Sequence, residues 1–388
     1  MNNHIYLDYA ATTPVDLRVL NAMLPYFKEN FGNPASIHQY GQRAEAAVEN
    51  ARETVAAALN CLRDEIVFTS CGSESDNLAL RGTAAAMREK NGANTLLCSR
   101  VEHHAVSKTV EQLERHFGYK VKWLETDENG MISPQTVEKA INKETAIVSV
   151  MYANNEIGTI NPIVEIASIC RAQRIPFHTD AVQAAAYLKV DTGLLGVDLM
   201  SLGAHKFYGP KGIGVLYIRK NTPIIPLQTG GGQESGLRGG TLNVPYIIGL
   251  AEALSLAVRE REQRVAHVLP LRDRIIGTTL EEIPESRLTG HPVSRLPNHC
   301  SFSFRNVDGN TLLTLLDSAG FACSSGSACK TGNPEPSEVM TSIGLSPEWG
   351  LGSLRVTLGA STTPVHVEAF LKILPGLVKK CRGLQSRS

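Results

Sequence analysis

From about residue 45 the spacing of apolar and polar positions changes period in a regular order. Residues 44–60, AEAAVENARETVAAALN, repeat apolar positions at three- and four-residue steps and predict an amphipathic helix. Residues 65–70, EIVFTS, form a short apolar run that predicts a strand, and 73–90 read as a helix. The alternation continues with strand 94–99, helix 106–117, strand 119–125, a short helix 133–141, a buried strand 145–153, helix 162–174 and strand 176–180. Further strands fall within 197–205 and 212–219. Strands and helices alternating at these lengths predict an α/β fold, a mostly parallel sheet with helices on both faces. A long helical stretch, about 245–284, follows the Gly-rich run TGGGQESGLRGGT at 229–241. A second mixed segment comes after it: strand 299–304, helix 309–320, strand 352–359 and a final helix. This places a domain change near residue 260, with a large domain over 15–260 and a small one formed by 1–14 with 261–388.

Charge narrows the function. Among 388 residues, 38 Lys+Arg balance 38 Asp+Glu, so no basic excess points to nucleic acid and none to a lipid surface. No apolar run has membrane-spanning length, and the start, MNNHIYLDYAATTP, has neither the basic start nor the apolar core of a signal peptide. The eight cysteines include no C-x-x-C pair and no His–Cys set with zinc spacing, so they read as reduced thiols of a cytoplasmic protein with no intrinsic metal.

Five stretches could carry chemistry. In FTSCGSESDN a strand ends, Cys71 and Gly72 turn the chain, and Ser73 opens a helix with Asp76 three residues on, as in a capping box. Free N–H groups there attract a phosphate, although an ordinary capped helix has the same pattern. In SLGAHKFYGPKGIG, His205 and Lys206 follow an apolar strand; a lysine so placed can form a Schiff base with a carbonyl cofactor, or simply be solvated. In FHTDAVQ, Asp180 ends a strand, where ligands of open α/β sheets bind, with Gln183 three residues on. A carboxylate buried there needs a cation, and the protonated ring nitrogen of pyridoxal phosphate is one; a helix cap is the alternative. In VEHHAV, one of His103 and His104 could stack on a planar ring or be a hydrogen-bonded loop histidine. Arg355 lies on the apolar strand GSLRVTLG and needs an anion, either a substrate carboxylate or an internal partner. Beside it in function stands CSSGSACKTGNP (323–334), whose Cys329 sits among Ser, Gly and Ala with neither helical nor strand period, as a thiol on a mobile loop. A phosphate seat, a lysine, a ring-nitrogen carboxylate, a stacking ring, an arginine and a thiol together read as a pyridoxal-phosphate enzyme acting on an amino acid with a cysteine nucleophile.

These stretches, together with YLDYAATTPV, FGNPASIH, ANNEIGTINP, HKFYGPKGIGVLYIR, GGGQESGLRGGT, RLPN and SSGSAC, make the chain resemble the cysteine desulfurases of the NifS/IscS type over essentially its full length. The resemblance implies fold type I of the pyridoxal-phosphate enzymes, a seven-stranded large domain with a smaller α+β domain, and a homodimer. It implies that Lys206 holds the cofactor, Asp180 its ring nitrogen, and Asn155 and Gln183 its ring hydroxyl, with His103 stacked on the ring. Gly72, Ser73, Gly203 and His205 would lie at the phosphate, with Thr241 reaching over from a second subunit. Arg355 and Asn33 would take the carboxylate of L-cysteine. Cys329 would accept sulfur as a persulfide, leaving alanine, and pass it to an iron–sulfur scaffold protein or another acceptor; Cys329 could also be a transient cluster ligand. Lys330 beside it would lower the thiol's pKa. The chain departs from the group's pattern at Ser73 for threonine, Gly203 for serine, Ser235 for a basic residue, Leu351 for histidine and Ala360 for arginine, and its tail after the last helix is short. The rival expectations are a selenocysteine lyase or other β-lyase or aminotransferase that does not use Cys329, and a cofactor-bearing scaffold without turnover.

Overall fold

The computed structural model describes residues 4–326 and 335–385. Twelve strands are β1 (Ile5–Tyr6), β2 (Ile66–Thr69), β3 (Thr95–Ser99), β4 (Lys120–Leu124), β5 (Thr145–Ser149), β6 (Phe177–Asp180), β7 (Leu199–Gly203), β8 (Gly214–Ile218), β9 (Ser286–Leu288), β10 (His299–Phe304), β11 (Phe321–Ala322) and β12 (Ser353–Thr357). Seven of them form the central sheet, in the order β2-β8-β7-β6-β5-β3-β4. The pairs from β7 through β4 are parallel, and β8 runs antiparallel to both its neighbours. The expected fold is therefore the observed one. Its inner strands are buried throughout and mostly apolar because helices cover both faces. A three-stranded antiparallel sheet, β12-β10-β9, follows in the C-terminal segment, and β1 pairs with β11 there.

Two helical readings are corrected in detail. The helix expected at 73–90 starts at Gly72 and passes through a single π turn, Leu78–Gly82, before continuing as Thr83–Asn91. The stretch expected at 245–284 is broken at Glu260, between Val244–Arg259 and Arg261–Glu282. Glu260 leaves helical geometry at φ −99°, ψ 5°, and its carboxylate takes the guanidinium groups of Arg18 and Arg264.

The glycine-rich run after β8 is fastened to the sheet's edge. β2 has a free edge, and Glu234 reaches it: Oε2 accepts from Phe68 N at 2.7 Å and Oε1 from Arg52 Nη2 at 2.7 Å. Arg52 also donates to Ile66 O at 2.7 Å and lies over the Phe68 ring, 4.8 Å from its centroid. Glu234 and Ser235 adopt left-handed backbone angles, φ 48° and 56°, which non-glycine residues avoid. One buried carboxylate thus satisfies an edge amide and a buried cation together. Glu234→Ala leaves the Phe68 amide without its partner and strips Arg52 of its buried counter-charge, and is expected to cost about 3–5 kcal/mol in denaturant unfolding. The double variant with Arg52→Ala is expected to lose less than the sum of the singles; additive losses would sink the pairing.

Candidate active site

Five parallel strands end on one side of the sheet, and the residues just after each end meet there. β2 delivers Cys71, Gly72 and Ser73; β3 delivers His103; β5 delivers Met151 and Asn155; β6 ends in Asp180 with Gln183 beyond; β7 delivers His205 and Lys206. Together with Ala10, Ala11, Asp76, Val182 and Arg355 they line a cavity of about 240 Å³. A crevice beyond the carboxyl ends of the strands is where open α/β sheets bind ligands.

At one end lies the start of the helix Gly72–Asn77. Its cap is Cys71, not Ser73: Cys71 Sγ accepts from Glu74 N at 3.4 Å. Asp76 makes no capping box, since its carboxylate turns into the core, 3.6 Å from His178 Nε2. The first N–H groups of the helix have no intrahelical partner and face the cavity. Gly203 does not line the cavity but backs it: a Cβ there would stand 3.5 Å from Gly72 N.

Lys206 stands in the middle. Its Nζ donates to the main-chain carbonyls of Ala10 and Ala11, at 2.9 Å to the latter. Burial lowers its pKa to about 8, with the Arg355 charge pushing the same way and Asp180 and Asp8 pulling back. Gln183 Nε2 also donates to Ala10 O, at 2.9 Å, so the segment YLDYAATTP closes this wall with main-chain atoms. His205 Nδ1 meets Thr12 Oγ1 at 3.1 Å, and burial with the nearby lysine charges lowers its pKa to about 4.

Asp180 is buried at the cavity floor, and among the described residues its side chain has one hydrogen bond, from Val182 N at 2.9 Å. It caps no helix. Burial raises its pKa, against the pull of His103 and Lys206. His103 is hydrogen-bonded, as one of its two readings expected: its Nδ1 caps the helix His104–Phe117 through Ala105 N at 3.1 Å, and the residue also lines the cavity. Burial keeps its pKa below the ordinary histidine value.

Beneath the floor runs a buried polar ladder absent from the sequence reading. Ser149 on β5, His178 on β6 and Ser201 on β7 join through His178 Nδ1 at 2.9 Å and Nε2 at 3.0 Å. Burial lowers His178 to about 3, so the ring is neutral and ties three strands under Asp180. Glu102, next to His103, is also buried; its carboxyl accepts from Ser99 Oγ and Met151 N and is raised to about 8.

Arg355 reaches the cavity from β12 and has the internal partner that was its alternative reading. Nη2 pairs with Asp8 Oδ1 at 2.9 Å and Nη1 donates to Asn155 O at 3.0 Å, while Nε has no partner among the described residues. Asn33 and Thr241 do not line the cavity of this chain; both are exposed. Cys329 and Lys330, with the mobile loop expected to carry them, lie outside the described residues.

Residues 5–370 match the aminotransferase class-V family. The chain belongs to that family, among its cysteine desulfurases of the NifS/IscS type. It is 45% identical over 384 residues to a protein named cysteine desulfurase IscS from Dictyoglomus turgidum, covering 99% of this chain and 97% of that one. It is 46% identical over 383 residues to one of the same name from Methanosarcina thermophila, covering 99% and 94%. A solved NifS-like protein superposes with a TM-score of 0.90 at 37% identity, over 97% of this chain and 100% of that one. A structure titled SspA in complex with cysteine gives 0.79 at 35% identity, over 92% and 99%.

Proposed function

We infer that the protein is a pyridoxal-phosphate-dependent cysteine desulfurase, which takes sulfur from L-cysteine, releases L-alanine and keeps the sulfur as a persulfide. The observation that carries this reading is the convergence of Lys206, Asp180, His103 and Arg355 on one cavity, in a chain 45% identical over its length to a named cysteine desulfurase.

The donor set fits the cofactor. Asp180 offers a buried carboxylate short of partners to a protonated ring nitrogen, and the open N–H groups of Gly72 and Ser73 suit a phosphate. The absence of a side chain at Gly203 keeps the backbone beside that seat open. Lys206 would hold the carbonyl carbon, His103 the ring face, Asn155 and Gln183 the ring hydroxyl, and His205 the phosphate. Bound there, pyridoxal phosphate supplies a carbonyl for the substrate amine and a ring that takes up electron density released at the α-carbon.

The chain's own groups do the rest. Arg355 orients the substrate carboxylate. Lys206, with a pKa near 8, moves the proton at the substrate α-carbon. His103, held mainly neutral, is the second group able to move a proton at that face. The Cys329 thiolate forms an S–S bond to the substrate sulfur as the substrate Cβ–S bond breaks. That bond's electron pair stays on the three-carbon fragment, which is protonated and leaves as alanine. The persulfide then passes to an acceptor, such as an iron–sulfur scaffold protein.

A homodimer fits this site. Leu17, Phe27, Phe31 and Ile37 are 73%, 55%, 65% and 91% exposed, an apolar run that a second copy would cover. Thr241, exposed and away from its own cavity, would serve the partner's phosphate. The pairing of β1 with β11 supports the division into 15–260 and 1–14 with 261–388. Among the described residues no helix is long and apolar enough to cross a membrane, and we place the protein in the cytoplasm.

The test needs no variant. Given one equivalent of L-cysteine per chain and no other thiol, the loaded enzyme is expected to make one alanine and hold one sulfur per chain as persulfide. Sulfide then appears, equal to alanine, when a thiol reductant is added. A β-lyase not using Cys329 would release sulfide without reductant and leave no persulfide, which would overturn the reading.

A further inference from the structure

Cys329 lies in the segment between β11 and the helix Glu338–Ser342, and both ends of that segment are described. Upstream, Ser324 and Arg355 exchange main-chain hydrogen bonds, 3.2 Å from Ser324 N and 2.7 Å from Arg355 N. Ser324 Oγ donates to Asp8 Oδ2 at 2.7 Å, and Gly326 N donates to Ser353 Oγ at 3.2 Å. Downstream, Ser337 Oγ caps its helix by accepting from Met340 N at 3.2 Å, and donates to Glu156 Oε2 at 2.7 Å.

The two ends meet at Glu156. A Cβ built on Gly326 would stand 2.5 Å from Glu156 Oε2 and 3.4 Å from Ser337 Oγ, so a side chain at 326 would displace the carboxylate from the upstream backbone. Glu156 adjoins Asn155, whose carbonyl receives Arg355, so the junction is built on the cavity wall. Burial pushes the Glu156 carboxyl up to about 7. A desolvated carboxyl is costly to keep, and its one side-chain hydrogen bond among the described residues goes to Ser337.

We propose that Glu156 is a positioning residue for the sulfur step: its carboxylate accepts from Ser337 at the downstream end of the Cys329 segment while Gly326 at the upstream end packs against it, which keeps the two ends together at the Arg355 corner of the cavity and so limits where the thiol can reach. This rests on Cys329 as the sulfur acceptor. Cys329 stands three residues beyond Gly326, so an extended chain carries its Cα at most about 11 Å from that glycine. Sulfur-to-sulfur attack needs near contact, and a misplacement of about 1 Å can cost roughly 100-fold in rate. Where the segment is anchored therefore decides how often the thiol meets its target.

The experiment uses the pyridoxal-phosphate-loaded enzyme with Glu156→Ala, Ser337→Ala, the double variant and Glu156→Gln. Two quantities are read: the cofactor's absorption change on titration with L-cysteine, and single-turnover formation of the persulfide by mass spectrometry. Each alanine variant is expected to slow persulfide formation by about 10- to 100-fold while half-saturation by cysteine moves by less than about twofold. The double variant is expected to be no slower than the slower single, and Glu156→Gln, whose amide oxygen can accept the Ser337 hydroxyl, to recover most of the loss. Wild-type persulfide rates in both singles overturn the proposal, as does a loss tracked by equally weakened cysteine binding. A Cys329→Ser control that still forms protein-bound persulfide overturns the acceptor assignment itself; a dead control with unaffected Glu156→Ala overturns the positioning role alone.

Discussion

Lys206→Ala is expected to abolish covalent retention of pyridoxal phosphate and to lower sulfide release from L-cysteine by at least about 1,000-fold. The Lys206 amine sits among main-chain oxygens. Its Nζ has only the carbonyls of Ala10 and Ala11 as partners among the described residues, and neither is an anion. Desolvation therefore disfavours the cation, and the Arg355 charge adds to it, bringing the pKa from 10.5 to about 8. At pH 7 roughly one amine in ten is then neutral, against about one in three thousand for an ordinary lysine. Only the neutral amine can attack a carbonyl or take a proton, and alanine can do neither. Lysine to arginine is no rescue, because a guanidinium stays charged. The sign of the pH effect follows. Capture of added pyridoxal phosphate by the cofactor-free protein is expected to quicken as pH rises towards 8 and then level off, where an unperturbed lysine would still be gaining speed at pH 10. Absorption of the bound cofactor, followed against pH and after dialysis, reads both claims. A Lys206→Ala protein that keeps its cofactor through dialysis and turns over at a tenth of the wild-type rate would remove Lys206 from the mechanism.

Most of this site was legible because of where parallel strands put their ends. β3, β5, β6 and β7 are buried on both faces, so their apolar runs stand out, and the first polar residues after each run fall at the crevice. That is how His103, Asp180 and Lys206 could be picked from the sequence. What escaped was contact between distant parts of the chain. Asp8 holds Arg355 across 347 residues, and Ala10 and Ala11 serve Lys206 through main-chain oxygens that any sequence would supply. The cap of the helix at Gly72 was misassigned to Ser73 because a helix start is uncertain by a residue from sequence, and Cys71 is not a usual capping type. Asp76 therefore falls where a capping box puts its acidic residue, whereas it is buried beside His178. His178 itself gave no signal: one histidine in an apolar strand becomes a cross-strand tie only when Ser149 and Ser201 arrive on either side. Glu234 and Glu156 gave no signal in the sequence: the contacts of their buried carboxylates, with an edge amide and with Gly326, have no local pattern.

Cys329→Ser is expected to leave the cofactor's spectral response to L-cysteine in place and to reduce sulfide and alanine to background. Serine keeps the size and nearly the polarity of the side chain, so loading and substrate binding, which belong to Lys206, Asp180 and Arg355, lose nothing. The lost property is nucleophilicity towards sulfur: a thiolate is accessible near neutral pH, and a serine alkoxide is not. No described cysteine is set to replace it. Burial raises the pKa of Cys98, Cys170, Cys300 and Cys323, which keeps them as thiols. Cys323 is the nearest in sequence, but with its thiol pushed up by burial and by the Asp8 charge it is the wrong protonation state for attack. Cys71 is the one cysteine lining the cavity among the described residues, and its sulfur is turned to the helix start at Glu74 N. Mass mapping of the variant after incubation with L-cysteine decides between these thiols. Background persulfide at every cysteine leaves Cys329 as the acceptor; persulfide on Cys71 at a rate near the wild type's would move the acceptor to the phosphate end of the cavity and separate the sulfur step from the 323–334 segment altogether.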